Sequence, residues 1–172
     1  MSQESIASYY ERDHDRLDNL FNRFQESKKT DFPKAKQSFR EFVVGLKRHI
    51  VWEEDILFPL FEERTNTHGA GPTVVMRVEH CQIKEVLERI HEKVRKADPT
   101  TDLDETLLLA LLQEHNMKEE QILYPLIGQS LSKKERENVF TRMVELSEKQ
   151  NQSCCGIHHL EKNKTINLKE KV

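Results

Sequence analysis

The 172-residue chain is poor in the residues that build tight turns. It has five glycines and five prolines, one tryptophan, and no Gly-rich or Pro-rich stretch. That scarcity leaves a β-sandwich or barrel, with its many turns, little to work with. Three cysteines, two of them adjacent at Cys154-Cys155, do not make a disulfide framework. The longest apolar run, Leu107 to Leu112, is far too short to span a bilayer, and the N-terminus is polar with no secretory pattern. The net charge of −3 and a pI near 6.3 offer no basic surface for nucleic acid or an anionic membrane. These exclusions predict a cytoplasmic protein with neither nucleic-acid nor membrane partners, a monomer or homodimer of one domain.

What the chain does have is charge and helical periodicity: 33% of residues are charged and 36% hydrophobic. Ile6, Tyr10, Leu17, Leu20, Phe21 and Phe24 recur at helical spacing over a helix from about Ser5 to Ser27. A second helix opens at Asp31-Phe32-Pro33 and buries Phe39, Phe42, Val43, Leu46, Ile50, Leu57 and Leu60, with Pro59 expected to kink or end it. Residues 65–72 read as a loop. A third helix runs from Pro72 to about Lys96 on Val75, Met76, Ile83, Leu87 and Ile90. A fourth follows the Asp98-Pro99-Thr100-Thr101 turn and carries Leu107, Leu108, Leu111, Leu112, Ile122 and Leu123. Ser132-Lys133-Lys134-Glu135 has the form of a capping box, predicting a fifth helix from Ser132 to about Lys149. The fold class predicted is all-α, an antiparallel up-and-down four-helix bundle with an additional C-terminal helix. Residues 1–150 form the bundle and 151–172 a polar extension.

Within this frame one pattern occurs twice. His49-x-x-x-Glu53-Glu54-x-Ile56-Leu57-Phe58-Pro59-Leu60 is repeated as His115-x-x-x-Glu119-Glu120-x-Ile122-Leu123-Tyr124-Pro125-Leu126. His14 precedes His49 by 35 positions, and His80 precedes His115 by the same 35. A shift of 66 without insertion superimposes the two sets, as expected of a duplicated helix pair. Residues four apart share a helix face, so each His-x-x-x-Glu can aim an imidazole and a carboxylate at one point. A lone histidine on an apolar stripe is ordinarily a satisfied core residue. Four at matched spacing, two with a glutamate one turn on, point instead to metal ligation. His14, His49, Glu53, His80, His115 and Glu119 are therefore the candidate metal ligands. Such a set suits two iron ions bridged by the glutamates, with room for an oxo or hydroxo bridge and an external ligand.

His14, His49-x-x-x-Glu53, His80 and His115-x-x-x-Glu119, spread over about residues 5 to 128, resemble the hemerythrin-like HHE cation-binding domains. The resemblance implies a hemerythrin-like bundle with a non-haem di-iron centre that meets dioxygen, nitric oxide or peroxide, or senses iron. It also exposes a departure: oxygen carriers of that kind have a fifth histidine one turn from the other on the third helix. Here the flanking residues are Met76 and Lys84. Water, Glu79 or Tyr10, the last as a phenolate, are candidates for that position.

Other residues are given plainer roles. Glu54 and Glu120 lie 100° round the helix and are expected at the surface or behind the ligands. Asp13, Asp15 and Glu79 could accept the second N–H of a histidine. Met76 and Trp52 read as packing residues, Cys81 as a buried small hydrophobe, and His68 and His91 as ordinary. The Cys154-Cys155-Gly156-Ile157-His158-His159 tract lacks the spacing of a zinc site. Binding of dioxygen or nitric oxide is the leading expectation. The alternatives are an enzyme or repair factor acting on peroxide, nitric oxide or iron–sulfur clusters, and a metal-free helical interaction module.

Overall fold

The computed structural model describes residues 4–157, with side chains described as far as residue 147. Helix α1 spans Ile6–Ser27, α2 Phe32–Trp52, α3 Phe58–Thr65, α4 Pro72–Arg95, α5 Asp102–Lys118, α6 Tyr124–Ser130 and α7 Lys133–Ile157. Short turns connect α1 to α2 and α4 to α5, and these pairs pack against each other as antiparallel neighbours, while α6 closes against α1 and α3. The all-helical bundle with an added C-terminal helix is the architecture expected. α7 runs beyond the anticipated end near Lys149. The side chains of Cys154 and Cys155, and the whole of His158 and His159, lie outside the described residues.

The ends of the helices follow from local chemistry. Ser5 caps α1 by accepting from the Ser8 N–H, and Asp31 caps α2 by accepting from Lys34. The capping box before α7 is formed, with the Ser132 N–H and hydroxyl both donating to Glu135. The 65–72 loop turns through left-handed Asn66 and positive-φ glycines at Gly69 and Gly71.

The prolines neither kink nor end the helices as expected. Residues 53–57 and 119–123 each form a single π turn that joins α2 to α3 and α5 to α6 without interruption. In these turns the Phe58 N–H reaches the Glu53 carbonyl, and the Tyr124 N–H reaches Glu119. A proline ring clashes with the carbonyl four residues back and offers it no donor. Widening the turn by one residue relieves both faults at Pro59 and Pro125. The carbonyls this frees in the first copy are met from neighbouring helices, Glu54 by Arg77 and Asp55 by Arg142.

Two apolar clusters fill the bundle. One gathers Leu17, Phe21, Phe24, Phe39, Phe42 and Leu46 of α1 and α2 with Ile83, Leu87, Ile90, Leu108 and Leu112 of α4 and α5. The other gathers Ile6, Tyr10, Trp52, Ile56, Leu57, Phe58, Met76, Leu123 and Tyr124 beneath Val139 and Met143 of α7. α1, α4, α2 continued into α3, and α5 continued into α6 each pass from one cluster to the other, with polar residues at the crossing level. Three residues assigned to buried faces, Val75, Leu107 and Ile122, are instead about half exposed. A wide apolar stripe on a helix outruns the arc its neighbours cover. Cys81 is exposed rather than buried, lying one position round the helix from His80.

Where α1 ends and α5 begins, Lys28 is buried and donates to Glu105 at 2.5 Å and Asp102 at 2.6 Å, and Gln25 and Thr101 also bond Glu105. Removing one partner strands the other charge, a loss of about 3–5 kcal/mol for a buried pair. Lys28→Ala is therefore expected to cost about 3 kcal/mol in urea denaturation, and Lys28→Met with Glu105→Leu to recover most of it.

Candidate metal centre

At the level between the two apolar clusters, α1 contributes His14, α2 and its π turn His49 and Glu53, α4 His80, and α5 and its π turn His115 and Glu119. All six are buried, both glutamates and His80 completely. The structure brings all six together. His14 Nε2 lies 3.2 Å from His49 Nε2 and 3.4 Å from Glu119; His80 Nε2 lies 3.2 Å from Glu53; His115 Nε2 lies 3.1 Å from Glu119. His49 Nε2 is 3.6 Å from Glu53. Two groups of converging donor atoms result, one of Glu53, His80, His115 and Glu119 and one of His14, His49 and Glu119, each within 4.8 Å of one another. Glu119 belongs to both.

The opposite ring nitrogen of every histidine meets a carboxylate. His14 Nδ1 donates to Glu120 at 2.7 Å, His49 to Asp13 at 3.1 Å, His80 to Glu54 at 2.8 Å and His115 to Glu79 at 3.0 Å. A carboxylate accepts only, so Nδ1 carries the proton and Nε2 is the atom turned inward. This is how metal-binding histidines are ordinarily fixed in tautomer and orientation. Glu54 and Glu120 thus lie behind the imidazoles, as do Asp13 and Glu79. Asp13 and Glu79 are themselves related by the 66-residue shift, a signal the sequence held.

Two expectations fail here. The Tyr10 hydroxyl points to Met143 Sδ at 3.9 Å, and its ring lies edge-on to His49, so it does not reach in as a phenolate. Glu79 is engaged by His115 and Lys118 and faces away from the centre. The tyrosine that does reach the centre is Tyr124, whose hydroxyl lies 2.7 Å from Glu53 and 2.8 Å from Glu119. The repeat held the clue, since the aromatic position of the motif is Phe58 in the first copy and Tyr124 in the second. Phe58, without the hydroxyl, stacks on His80.

Charge and burial oppose each other throughout. Burial lowers the pKa of His14 and His115, yet hydrogen bonds and charge from Glu119, with Glu120 for one and Glu79 for the other, raise both to about 9. Glu119 is held well below the usual carboxylate range by His115 and His14 against the cost of its burial. Burial, then the two glutamates, drive the Tyr124 phenol well above its ordinary range, so it stays a donor. Glu53 Oε2 and His80 Nε2 are buried with no hydrogen-bond partner. Unmet buried acceptors of this kind cost about 1–3 kcal/mol each, and a cation bound among them would offset that cost. The donors are imidazole nitrogen and carboxylate oxygen with no thiolate, a set that fits iron. A bound cation would displace the Nε2 protons of His14 and His115.

On the histidine side lies a cavity of about 10 Å³, walled by Leu17, Phe42, Leu46, Ile50, Ile83 and Leu112, room for about one water-sized molecule. Its polar rim, Asp18 and Asn116, also borders an open cleft between α1 and α5. On the carboxylate side Tyr10, Tyr124 and α7 close the centre.

Two outcomes follow. Tyr124→Phe removes the one donor shared by both glutamates; metal affinity, measured by competition with a chelator, is expected to fall about 10–100-fold with the helical signal unchanged. Asp13, despite burial, is held at about 2 by hydrogen bonds from His49 and Arg16. A carboxylate lowered this way stabilises the fold fully above its unfolded value near 3.8 and loses that contribution as pH falls through about 2. In the metal-free protein Asp13→Asn should cost about 2 kcal/mol at neutral pH, and the gap between variant and parent in denaturant titrations should close between those two pH values.

Comparison with known proteins agrees with this geometry. The family model for the hemerythrin HHE cation binding domain matches residues 5–127. An uncharacterized hemerythrin-like protein of Schizosaccharomyces pombe is 30% identical over 125 residues, covering 72% of this chain and 60% of that protein. The iron-sulfur cluster repair protein YtfE of Escherichia coli is 26% identical over 135 residues, covering 70% of this chain and 61% of that protein. The chain thus spans about 60% of the length of these relatives. No solved structure matches. With the family match covering all four histidines and both glutamates, the chain belongs to the hemerythrin HHE cation-binding family.

Proposed function

We propose that His14, His49, Glu53, His80, His115 and Glu119 would hold two iron ions, with Glu119 common to both groups of donors, in a cytoplasmic protein that binds dioxygen or nitric oxide. The observation that carries this reading is the pairing of six inward donors with the apolar cavity beside them, of about 10 Å³. Iron so held supplies redox and ligand-binding chemistry. The chain supplies the rest. Asp13, Glu54, Glu79 and Glu120 keep four Nε2 atoms aimed inward. Tyr124 keeps the two carboxylates together and can offer a proton at its hydroxyl. Leu17, Phe42, Leu46, Ile50, Ile83 and Leu112 exclude bulk water and admit only a small molecule. Among the described residues no fifth histidine enters the site, which leaves this donor set poorer in nitrogen than that of an oxygen carrier.

A second reading, repair of iron–sulfur clusters, is favoured by the likeness to YtfE over 70% of the chain. In it the same centre would give up iron or turn over nitric oxide. A metal-free interaction module is disfavoured by the buried, unmet atoms of Glu53 and His80.

Protein produced with iron supplementation should carry two irons per chain, and His80→Ala should carry fewer. Dioxygen or nitric oxide added to the reduced protein should generate new charge-transfer absorption that reverses on ligand removal. Catalytic consumption of nitric oxide or peroxide, or iron transfer to a damaged cluster, would favour the second reading. A melting temperature unmoved by chelation would reject both.

A further inference from the structure

On the outer face of α1 and α2, away from the metal centre, runs a groove of about 1400 Å³. Arg12, Arg16 and Arg23 line it from α1, and Lys36, Arg40 and Arg48 from α2. Only Asp15 and Glu41 answer them among the lining residues. Arg12 pairs with Glu4 and Arg16 with Asp13. Among the described residues no carboxylate lies within ion-pair distance of Arg23, Lys36, Arg40 or Arg48. On α4, by contrast, Arg77 meets Glu62, Lys84 meets Glu54, and Arg89 and Lys93 both meet Asp104. In a chain of net charge −3, four cations without an ion pair, Arg23, Lys36, Arg40 and Arg48, are thus gathered in one concave place.

The groove is shaped as well as charged. Lys36, Arg40, Val44 and Arg48 recur every four residues, one face of α2 over about 18 Å at the rise of a helix. Arg48 lies over the Trp52 ring at 4.8 Å, with its Nε buried and without a hydrogen-bond partner. The floor is apolar: Leu20, the exposed Val44 and Gly45. A Cβ at Gly45 would come within 2.7 Å of the Leu17 side chain and 2.9 Å of the Arg16 guanidinium, so this glycine sets how closely α1 and α2 approach.

We propose that this groove is a docking site for an acidic amphipathic helix of a partner protein. An apolar floor between cationic rims matches a helix with one leucine-type face and carboxylates on its flanks. The 18 Å stripe corresponds to about three turns of such a helix. A single phosphate would use one or two of cations spread over that length. A single-stranded nucleic acid would want aromatic rings on which to stack its bases, and none lines the groove. The proposal stands apart from the metal reading, because none of the six candidate ligands lines the groove.

The test uses the full-length protein and a synthetic 16-residue peptide with leucines on one helical face and glutamates beside them. The same peptide with lysines for glutamates and a 12-nucleotide single-stranded DNA serve as comparisons. Binding of the acidic peptide should weaken at least tenfold between 50 and 300 mM salt. It should also weaken at least tenfold in Arg23→Glu/Arg40→Glu, whose positions are exposed and unpaired, with an unchanged melting curve. Val44→Asp, aimed at the floor instead of the rims, should weaken it independently. No binding of the acidic peptide at 50 mM salt would overturn the proposal. So would binding indifferent to both variants, equal binding of the lysine peptide, or DNA binding as tight as that of the acidic peptide.

Discussion

Two carboxylates, Glu53 and Glu119, sit in the middle of this bundle with no exposure to water. An isolated ionised carboxylate in an apolar interior is among the costliest things a fold can contain. The surroundings are arranged to meet that cost. Four imidazoles turn a nitrogen toward the pair, and one tyrosine hydroxyl spans both. Behind the imidazoles a ring of four further carboxylates fixes their direction, and part of that ring is compensated in turn, Asp13 by Arg16, Glu54 by Lys84 and Glu79 by Lys118. Charge alternates outward from the centre until it reaches solvent. The apolar clusters on either side then act as insulation, lowering the effective dielectric in which this alternation works.

The duplication explains why the arrangement closes. His49–Asp13 and His115–Glu79 are bonds within each half, related by the 66-residue shift. His14–Glu120 and His80–Glu54 cross between the halves, and the same shift exchanges one for the other. Each half thus supplies the support for a histidine of its counterpart. Neither helix pair can satisfy its own buried groups alone, so docking of the halves and assembly of the centre are a single event. The π turns belong to this logic, because they begin at the two glutamates that both halves share.

Much of this could be read from the residues. The helices, the 66-residue shift and the meeting of six polar side chains followed from spacing, and the caps at Asp31 and Ser132 from residue type. What escaped was the set by tertiary neighbours. Tyr10 lies one turn before His14, near enough in sequence to suggest a phenolate, but the rotation of α1 sends its hydroxyl to Met143 of a helix far along the chain. Tyr124 is hard to single out in the sequence, because its counterpart is Phe58 and a single oxygen does not alter an apolar pattern. The π turns were invisible for a similar reason: proline announces a fault in the hydrogen-bond ladder without saying whether the helix ends, kinks or widens. The exposed halves of Val75, Leu107 and Ile122 show the limit of reading a stripe, which gives a direction and not the width of the neighbour facing it.

The difference between Phe58 and Tyr124 also makes the two sides of the centre unequal. A perfectly repeated motif would give two equivalent halves. Here the hydroxyl falls on one side only, beside His49 and the two glutamates, while the matching place is filled by a ring stacked on His80. The added helix α7 deepens the inequality, since its Met143 packs on Tyr10 and accepts from the Trp52 indole, sealing the carboxylate face. On the histidine face the cavity borders the cleft between α1 and α5 at Asp18 and Asn116. A molecule arriving that way meets the imidazoles before the tyrosine, across a cavity with room for little more than itself. The cavity's apolar walls and its room for about one water-sized molecule make size a filter on that side, ahead of the imidazoles.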